Sequence, residues 1–227
     1  MKNEWTNIAD KASKIQGTKN EVLNPVMMSL VKKYAKGKNL FDYGCGWGEF
    51  ADVMQKEGFV VSAFDDADEM VSQAKSKFSI PTFFYKKDFN EKLPEMKGTF
   101  DVVTSNLVLC ILEKEQQEIM MNNIKALVKD DGAIVISFCH PKYDYLPDSL
   151  VSTRTSPKDV KYSDEFLYEK EIKENGVRFH DWHRPLEYYI DLFSKHGLKM
   201  LETKESDILG TSYQPDFIIF AFQKVNG

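Results

Sequence analysis

Apolar runs alternate with amphipathic stretches along most of this chain, the pattern of a parallel sheet covered by helices. Val22, Val26, Leu30 and Val31 recur at three- to four-residue spacing and predict a helix over 21–36. Pro25 suits its first turn, with Asn24 as the cap. Residues 38–43 read as a short strand that runs into a glycine cluster, and 49–56 as a helix ended by Gly58. A buried strand over 59–64 and a helix over 67–77 follow, then a third strand over 82–86 that ends near Asp88. The second half repeats the alternation, with a strand at 100–105, a helix at 115–128 and the most hydrophobic strand at 132–138. A helix over 185–195 precedes two final strands, 198–203 and 217–222, whose connection carries no helix signal and which therefore pair antiparallel. The expectation is an α/β fold: one seven-stranded, mostly parallel sheet with an antiparallel edge hairpin and helices on both faces.

Residues 139–184 break this rhythm, being too long for an ordinary connection. Two strand-like runs, 166–173 and 177–183, flank Glu174-Asn175-Gly176, and Asn-Gly is a strong hairpin signal. A two-residue turn there pairs Ile172 with Phe179, Lys170 with Asp181 and Tyr168 with His183. Apolar residues then share one face with a Lys–Asp pair in line with them. The segment reads as a flap inserted into a single domain spanning 1–227.

Composition narrows the class. Of the 227 residues 42% are hydrophobic and 13% aromatic, enough for a sizeable core. A net charge of −5 argues against a protein held to nucleic acid by phosphate neutralisation. No apolar run approaches the ~18–20 residues that cross a bilayer, and the start lacks an apolar signal stretch. Cys45, Cys110 and Cys139 are odd in number and widely spaced, which disfavours disulfide scaffolds and zinc clusters. A reducing cytoplasm is the expected compartment, as a monomer or homodimer.

The chemically loaded segment is Asp42-Tyr43-Gly44-Cys45-Gly46-Trp47-Gly48-Glu49, between the first strand and its helix. A phosphate-cradling loop needs Lys-Ser or Lys-Thr after the last glycine, where Glu49-Phe50 stand. A dinucleotide loop spaces its glycines GxGxxG, whereas these are GxGxG. Asp42 and Glu49 would also repel a pyrophosphate, and suit a ligand with a cationic end. Asp65 closes the second strand, where a carboxylate can accept from both ribose hydroxyls. Asp88-Phe89 follows the third strand and Asn106-Leu107 ends the fourth. All four points lie at carboxyl ends of parallel strands, the crevice where open α/β sheets bind ligands.

With these residues in order, the sequence resembles the class I S-adenosylmethionine-dependent methyltransferases of the small-molecule branch. The resemblance rests on residues 40–48, 61–65 with Met70, Asp88, 100–107 and 132–138, and more loosely on His183-Arg-Pro-Leu-Glu-Tyr-Tyr189 and Gly197-Leu198. It implies a Rossmann-like sheet and S-adenosylmethionine as cofactor. Gly44, Cys45 and Gly46 would lie against the methionine moiety, and Asp65 would hold the ribose. Asp66 and Met70 would flank the adenine, Asp88 would accept from its amino group with Phe89 nearby, and Asn106-Leu107 would line the other side. Asp42 would act near the amino group, and Trp5 belongs to a segment that closes over the cofactor.

Methyl transfer from a sulfonium is a one-step displacement that asks the protein mainly for alignment and exclusion of water. An O–H or protonated N–H acceptor also profits from a base of near-neutral pKa. Among four histidines, His140 follows the fifth strand and His183 shares the apolar face of the proposed hairpin, so both are base candidates. His180 reads as a solvated hairpin residue, His196 as a helix-end residue and Asp101 as a strand-start stabiliser. The Asn/Asp-Pro-Pro-Tyr of amino-methylating nucleic-acid enzymes is absent, Ser105-Asn106-Leu107-Val108 standing there instead. No metal set is found, and the cysteines lack the CxxxCxxC of radical chemistry. A small organic acceptor under an aromatic flap of Tyr143, Tyr145, Tyr168, Phe179 and Trp182 is the expected substrate. The competing readings are a cofactor-binding protein without transfer activity and a dinucleotide-dependent oxidoreductase.

Overall fold

A computed structural model describes residues 4–12, 19–80, 82–144, 149, 151–206 and 214–225. Helix α1 (Glu4–Ala12) and a π-helical turn (Lys19–Leu23) precede α2 (Asn24–Tyr34). Then follow β1 (Asn39–Tyr43), α3 (Glu49–Lys56), β2 (Val60–Asp65), α4 (Asp68–Lys77), β3 (Thr82–Tyr85) and α5 (Lys86–Met96). Next come β4 (Phe100–Asn106), a 3₁₀ turn (Leu109–Ile111), α6 (Lys114–Leu127), β5 (Val128–Cys139) and the short α7 (Pro141–Asp144). Strands β6 (Ser152–Thr155), β7 (Phe166–Ile172) and β8 (Val177–His183) form a separate antiparallel sheet. Helix α8 (Leu186–Lys195), β9 (Leu198–Glu205) and β10 (Phe217–Lys224) complete the chain.

The main sheet has the order β3-β2-β1-β4-β5-β10-β9, parallel from β3 to β5 and antiparallel through β10 and β9. The seven strands of the sequence pattern are all present, and the Rossmann-like expectation holds. Strand order reverses between β1 and β4, so the connections diverge there and open a crevice at the carboxyl ends.

Period-two alternation sorts the core into two layers. Leu40, Val61, Ala63, Val102, Val135 and Ile219 pack against α2, α3 and α4. Their neighbours Phe41, Phe64, Val103, Ile136, Phe138 and Phe220 pack on the other face against α5, α6 and α8.

Four expectations are corrected. The helix at 21–36 begins with a π-helical turn, Leu23 precedes α2 at the cap position, and Asn24 bonds sideways to Asn20 instead of capping. The third strand stops at Tyr85 and α5 begins at Lys86, carrying Asp88 in its first turn and Pro94 inside. Strand β6 and α7 carry no clear sequence signal. The hairpin turn has four residues, 173–176, so Ile172 pairs with Val177, Lys170 with Phe179, Tyr168 with Asp181 and Phe166 with His183. The register is thus two residues from the expected one, and a slip of two leaves every side chain on its face.

The small sheet is tied to the main body at its base by Arg184, whose side chain is fully buried. Its Nε donates to Glu165 at 3.0 Å and its Nη1 to the Leu112 carbonyl at 3.0 Å, while the guanidinium lies over Trp182 and Tyr188. Arg184→Ala breaks a buried ion pair and empties its packing volume. It is expected to lower unfolding free energy by about 3 kcal/mol, read as a lower urea midpoint; an unchanged midpoint would refute the tie.

Candidate active site

The carboxyl ends of β1, β2 and β4 and the inner face of the small sheet enclose a cavity of about 1340 Å³. The glycine loop forms its floor. Gly44 and Cys45 donate their amides to the Phe64 carbonyl at 2.8 and 2.9 Å, which turns the chain back over β2. Gly44 has φ +77°, and a Cβ there would stand 2.3 Å from Val108 Cγ2, so only glycine fits. Gly46, at φ +55°, has no atom within 4 Å of the place a Cβ would occupy. Its missing side chain leaves open space in the cavity wall.

Asp65 braces this loop. Its Oδ2 accepts from the Gly46 amide at 2.8 Å and its Oδ1 from the Ala67 amide at 2.9 Å, joining the turns after β1 and β2. Burial pushes its carboxyl up to about 6 despite those two bonds. Asp42 is fully buried at the end of β1, where Thr104 donates to its Oδ1 at 2.8 Å. Burial lifts it to about 6 as well; the Thr104 hydroxyl and the Lys19 charge work against the rise. Two carboxylates poised near neutrality, with Asp66 beside them, give this end of the cavity an affinity for a cationic ligand.

Met70 and Trp47 pack with Ala67 beneath Trp5, Ile8 and Ala9 of α1, forming an apolar slot beside Asp65. Asn106 and Leu107 line the opposite wall. Leu107 takes a left-handed backbone, φ 61°, unusual for leucine, at the point where β4 leaves the sheet. A chain of side-chain hydrogen bonds holds that wall: Ser137 donates to Asn106, Asn106 to Asn24, Asn24 to Asn20, and Asn20 to Glu49 in the helix after the glycine loop. Nothing in the sequence periodicity marks Asn20, Asn24 or Ser137 as partners, because all of these bonds except Asn24 to Asn20 cross between elements far apart in the chain.

The structure thus brings Trp5, Asp42, Gly44, Cys45, Gly46, Asp65, Asp66, Met70, Phe89, Asn106 and Leu107 to one cavity. Asp88 is the exception: in the first turn of α5 it stands exposed and lies off the lining. Helix periodicity sends Phe89 inward, stacked on Phe64 at 4.3 Å, and turns Asp88 outward. The neighbouring Asn90 lines the cavity instead.

Neither proposed base lines the cavity. His140 is buried, its Nε2 hydrogen-bonded to Glu205 at 3.0 Å and its Nδ1 accepting from the Lys142 amide at 3.3 Å. Both ring nitrogens are committed to pinning the end of β5, and burial lowers its pKa. His183 donates through Nε2 to the Tyr162 carbonyl at 2.8 Å and stacks on Phe166, away from the cavity. His180 reaches the cavity rim, where its backbone amide and ring Nδ1 meet Glu4. Asp101 accepts from the Asn39 amide and pairs with Lys129, and His196 bonds to Glu118; both are structural, as expected for Asp101.

Among the expected acceptor aromatics, Phe179 and Trp182 line the cavity. Tyr168 is buried against Asp181, and Tyr143 packs on His140; neither reaches the lining. Tyr145 lies outside the described residues. The end of the cavity toward the small sheet instead presents Cys110, Cys139, Arg154, Lys170 and Asp181, which no histidine pattern marks. The signal existed: Lys170 and Asp181 fall on the hairpin face that the pattern makes apolar.

A family model described as a methyltransferase domain matches residues 18–203. The chain belongs to this family. A Geobacillus protein named as a methyltransferase is 31% identical over 145 residues, covering 58% of this chain and 56% of its own. The chain thus spans little more than half the length of that relative. The ubiquinone biosynthesis O-methyltransferase of Coxiella burnetii (strain Dugway 5J108-111) is 23% identical over 205 residues, covering 83% and 85%. Among solved structures, the 1,6-didemethyltoxoflavin-N1-methyltransferase of Burkholderia thailandensis, with its acceptor and S-adenosylhomocysteine bound, overlays with TM-score 0.62 at 12% identity. It covers 98% of this chain and 86% of that one. The class I, S-adenosylmethionine-dependent resemblance is therefore correct, and the fold is shared. The cavity fits that cofactor: an acid-lined floor, an apolar slot beside Asp65 and open space at Gly46 suit a nucleoside bearing a cationic sulfonium.

Two outcomes follow from this geometry. Gly46→Ala places a methyl group in the cavity and strains a left-handed backbone by roughly 1–2 kcal/mol. It is expected to weaken S-adenosylhomocysteine binding in calorimetry about tenfold or more. The control Gly58→Ala, with the same backbone strain (φ +84°) in open surroundings after α3, should leave affinity unchanged; equal loss in both would remove Gly46 from the site. If Asp42 and Asp65 receive a ligand's cationic end and hydroxyls, binding favours their ionised forms and lowers their pKa values from about 6. Affinity should therefore fall as pH drops through about 6, with protons released on binding near that pH. A flat profile between pH 7.5 and 5, measured in buffers of different ionisation enthalpy, would contradict this.

Proposed function

We propose that this chain is an enzyme that transfers a methyl group from S-adenosylmethionine to a small organic molecule, by direct O- or N-methylation. The observation that carries the reading is the braced glycine loop: Gly46, tied to Asp65, turns open space toward an acid-lined cavity in a methyltransferase-family chain. When bound, the cofactor supplies an activated methyl group on a positively charged sulfur that leaves neutral. The protein's own part is to bind, orient and exclude water.

Asp65 is assigned to the ribose hydroxyls, Asp66 and Met70 to the adenine edge, and Asp42 with the Gly44–Gly46 backbone to the methionine end. Alignment at the ~3–3.5 Å needed for in-line attack falls to the walls between Asn106-Leu107 and the small sheet. Helix α1 closes the roof. Trp5 meets Phe179 at 4.8 Å, Glu4 holds His180, and Asn175 donates to the Lys11 carbonyl at 2.9 Å. The same helix reaches α4 through Asp10, which accepts from Gln73. It thus bridges the cofactor and acceptor halves and keeps water out.

The whole of 1–227 is taken as one domain, with 139–184 supplying acceptor contacts. Relatives named for ubiquinone and toxoflavin-type acceptors support a small-molecule substrate over a nucleic acid. No helix among the described residues is long and apolar enough to cross a membrane, and the three cysteines are free thiols. Both fit a cytoplasmic enzyme.

The test is direct. Wild-type protein should bind S-adenosylhomocysteine and pass a radiolabelled methyl group to a member of a small-molecule panel. Asp65→Ala should weaken that binding by ~1–3 kcal/mol through loss of charge-assisted hydrogen bonds. Absence of any S-adenosylhomocysteine binding would end the proposal.

A further inference from the structure

Strands β4 and β5 leave the main sheet side by side, their last paired residues being Asn106 and Ser137. Each connection carries a cysteine just beyond that pair: Cys139 at the end of β5, and Cys110 in the 3₁₀ turn after β4. The Leu107 amide donates to the Ser137 carbonyl at 3.0 Å, and Cys110 Sγ reaches back to the Leu107 carbonyl at 3.8 Å, which folds the turn against β5. The two sulfurs and a carboxylate oxygen of Asp181 lie within 4.8 Å of one another, and both cysteines line the cavity. The methyl-transfer reading gives neither thiol a task.

A metal ion does not account for the cluster. Lys170 donates to Cys139 Sγ at 3.0 Å and to Asp181, so its ammonium stands where the ion would. That ammonium faces any negative charge that develops on the Cys139 sulfur. The thiols also differ in access. Cys139 is half-buried in the cavity wall, whereas Cys110 is only 3% exposed. The Cys139 sulfur, and burial after it, push the Cys110 thiol well above its usual range, so it keeps its proton.

We propose that Cys110 and Cys139 are a redox pair that a hydroperoxide closes to a reversible disulfide in the cavity wall. Cys139, the more accessible thiol, attacks the outer peroxide oxygen. An S–O bond forms, the O–O bond breaks, and a sulfenic acid and water result. The Cys110 sulfur then attacks the sulfenic sulfur. The S–S bond forms as the S–O bond breaks, and the hydroxyl leaves with the Cys110 proton as a second water. Two thiols thus lose two electrons, and one hydrogen peroxide is reduced to two waters. Sulfurs in a disulfide stand about 2.05 Å apart, so the two side chains turn toward each other and Cys139 leaves the Lys170 ammonium. The cross-link ties the turn after β4 to the end of β5. In a reducing compartment such a bond is transient and serves as a sensor. The pair stands whether or not the cavity transfers methyl groups.

Counting thiols on the whole folded chain tests this. Protein reduced with dithiothreitol and freed of it is exposed to hydrogen peroxide, quenched with catalase, then unfolded and labelled with N-ethylmaleimide. The untreated chain should take three labels, one for each cysteine, and the oxidised chain a single label on Cys45. Peptide mapping should show Cys110 joined to Cys139 within one chain, and dithiothreitol should restore all three labels. Phenylarsine oxide, whose arsenic takes two neighbouring thiols, should protect the same pair from labelling in the reduced chain. Cys110→Ser removes the second thiol, so dimedone should trap Cys139 as its sulfenic acid. Three labels retained after peroxide, a bond to Cys45 or between two chains, or dimedone capture at Cys110 instead of Cys139 in the wild-type chain would overturn the proposal.

Discussion

The Asp65 carboxylate, accepting from the amides of Gly46 and Ala67, is the interaction on which the site depends. Its two bonds satisfy backbone donors in two loops that have no strand to pair with. The loops are therefore shaped before any ligand arrives, and little ordering entropy is left to lose on binding. Its cost is a carboxylate held where solvation is poor, which is why burial drives its pKa upward. Asp42 shows the same trade at the end of β1, with Thr104 in place of a backbone donor. A cationic ligand relieves both.

Charge is distributed along the cavity with similar economy. Acids gather at the carboxyl ends of the parallel strands, and the buried cations lie on the small sheet opposite. Between them stand walls fixed by hydrogen bonds, from Ser137 through three asparagines to the Glu49 carboxylate. Such a chain orients Asn106 and the strained Leu107 turn.

The main sheet was legible because its signals are local. Alternating apolar residues define Phe100–Asn106 and the 132–138 core of β5, and glycine chemistry marks the loop after β1. What a local pattern does not reveal is a partner far along the chain. The place of His140 after β5 suits a base by sequence, while Glu205, 65 residues on, holds its ring off the cavity lining. Asp88 looked like a strand-end acid because the apolar run Phe83-Phe84-Tyr85 hides the helix start at Lys86. In the small sheet the faces were read correctly and the partners were not, since turn length does not change which side chains share a side. Lys170 and Asp181 were visible in that pattern, whereas Arg154 sits on a strand too short to announce itself.

That parity has a consequence for how this protein can vary. Lengthening or shortening the 173–176 connection by an even number would slide β8 along β7 while Phe179 and Asp181 still looked inward. An odd change in which β7 turns over would instead bring Glu169 and Glu171 into the interior and evict the residues now there. Length variation among descendants of this chain should therefore come in pairs at this hairpin, and pocket contents could be reshuffled along the strand axis without rebuilding the scaffold.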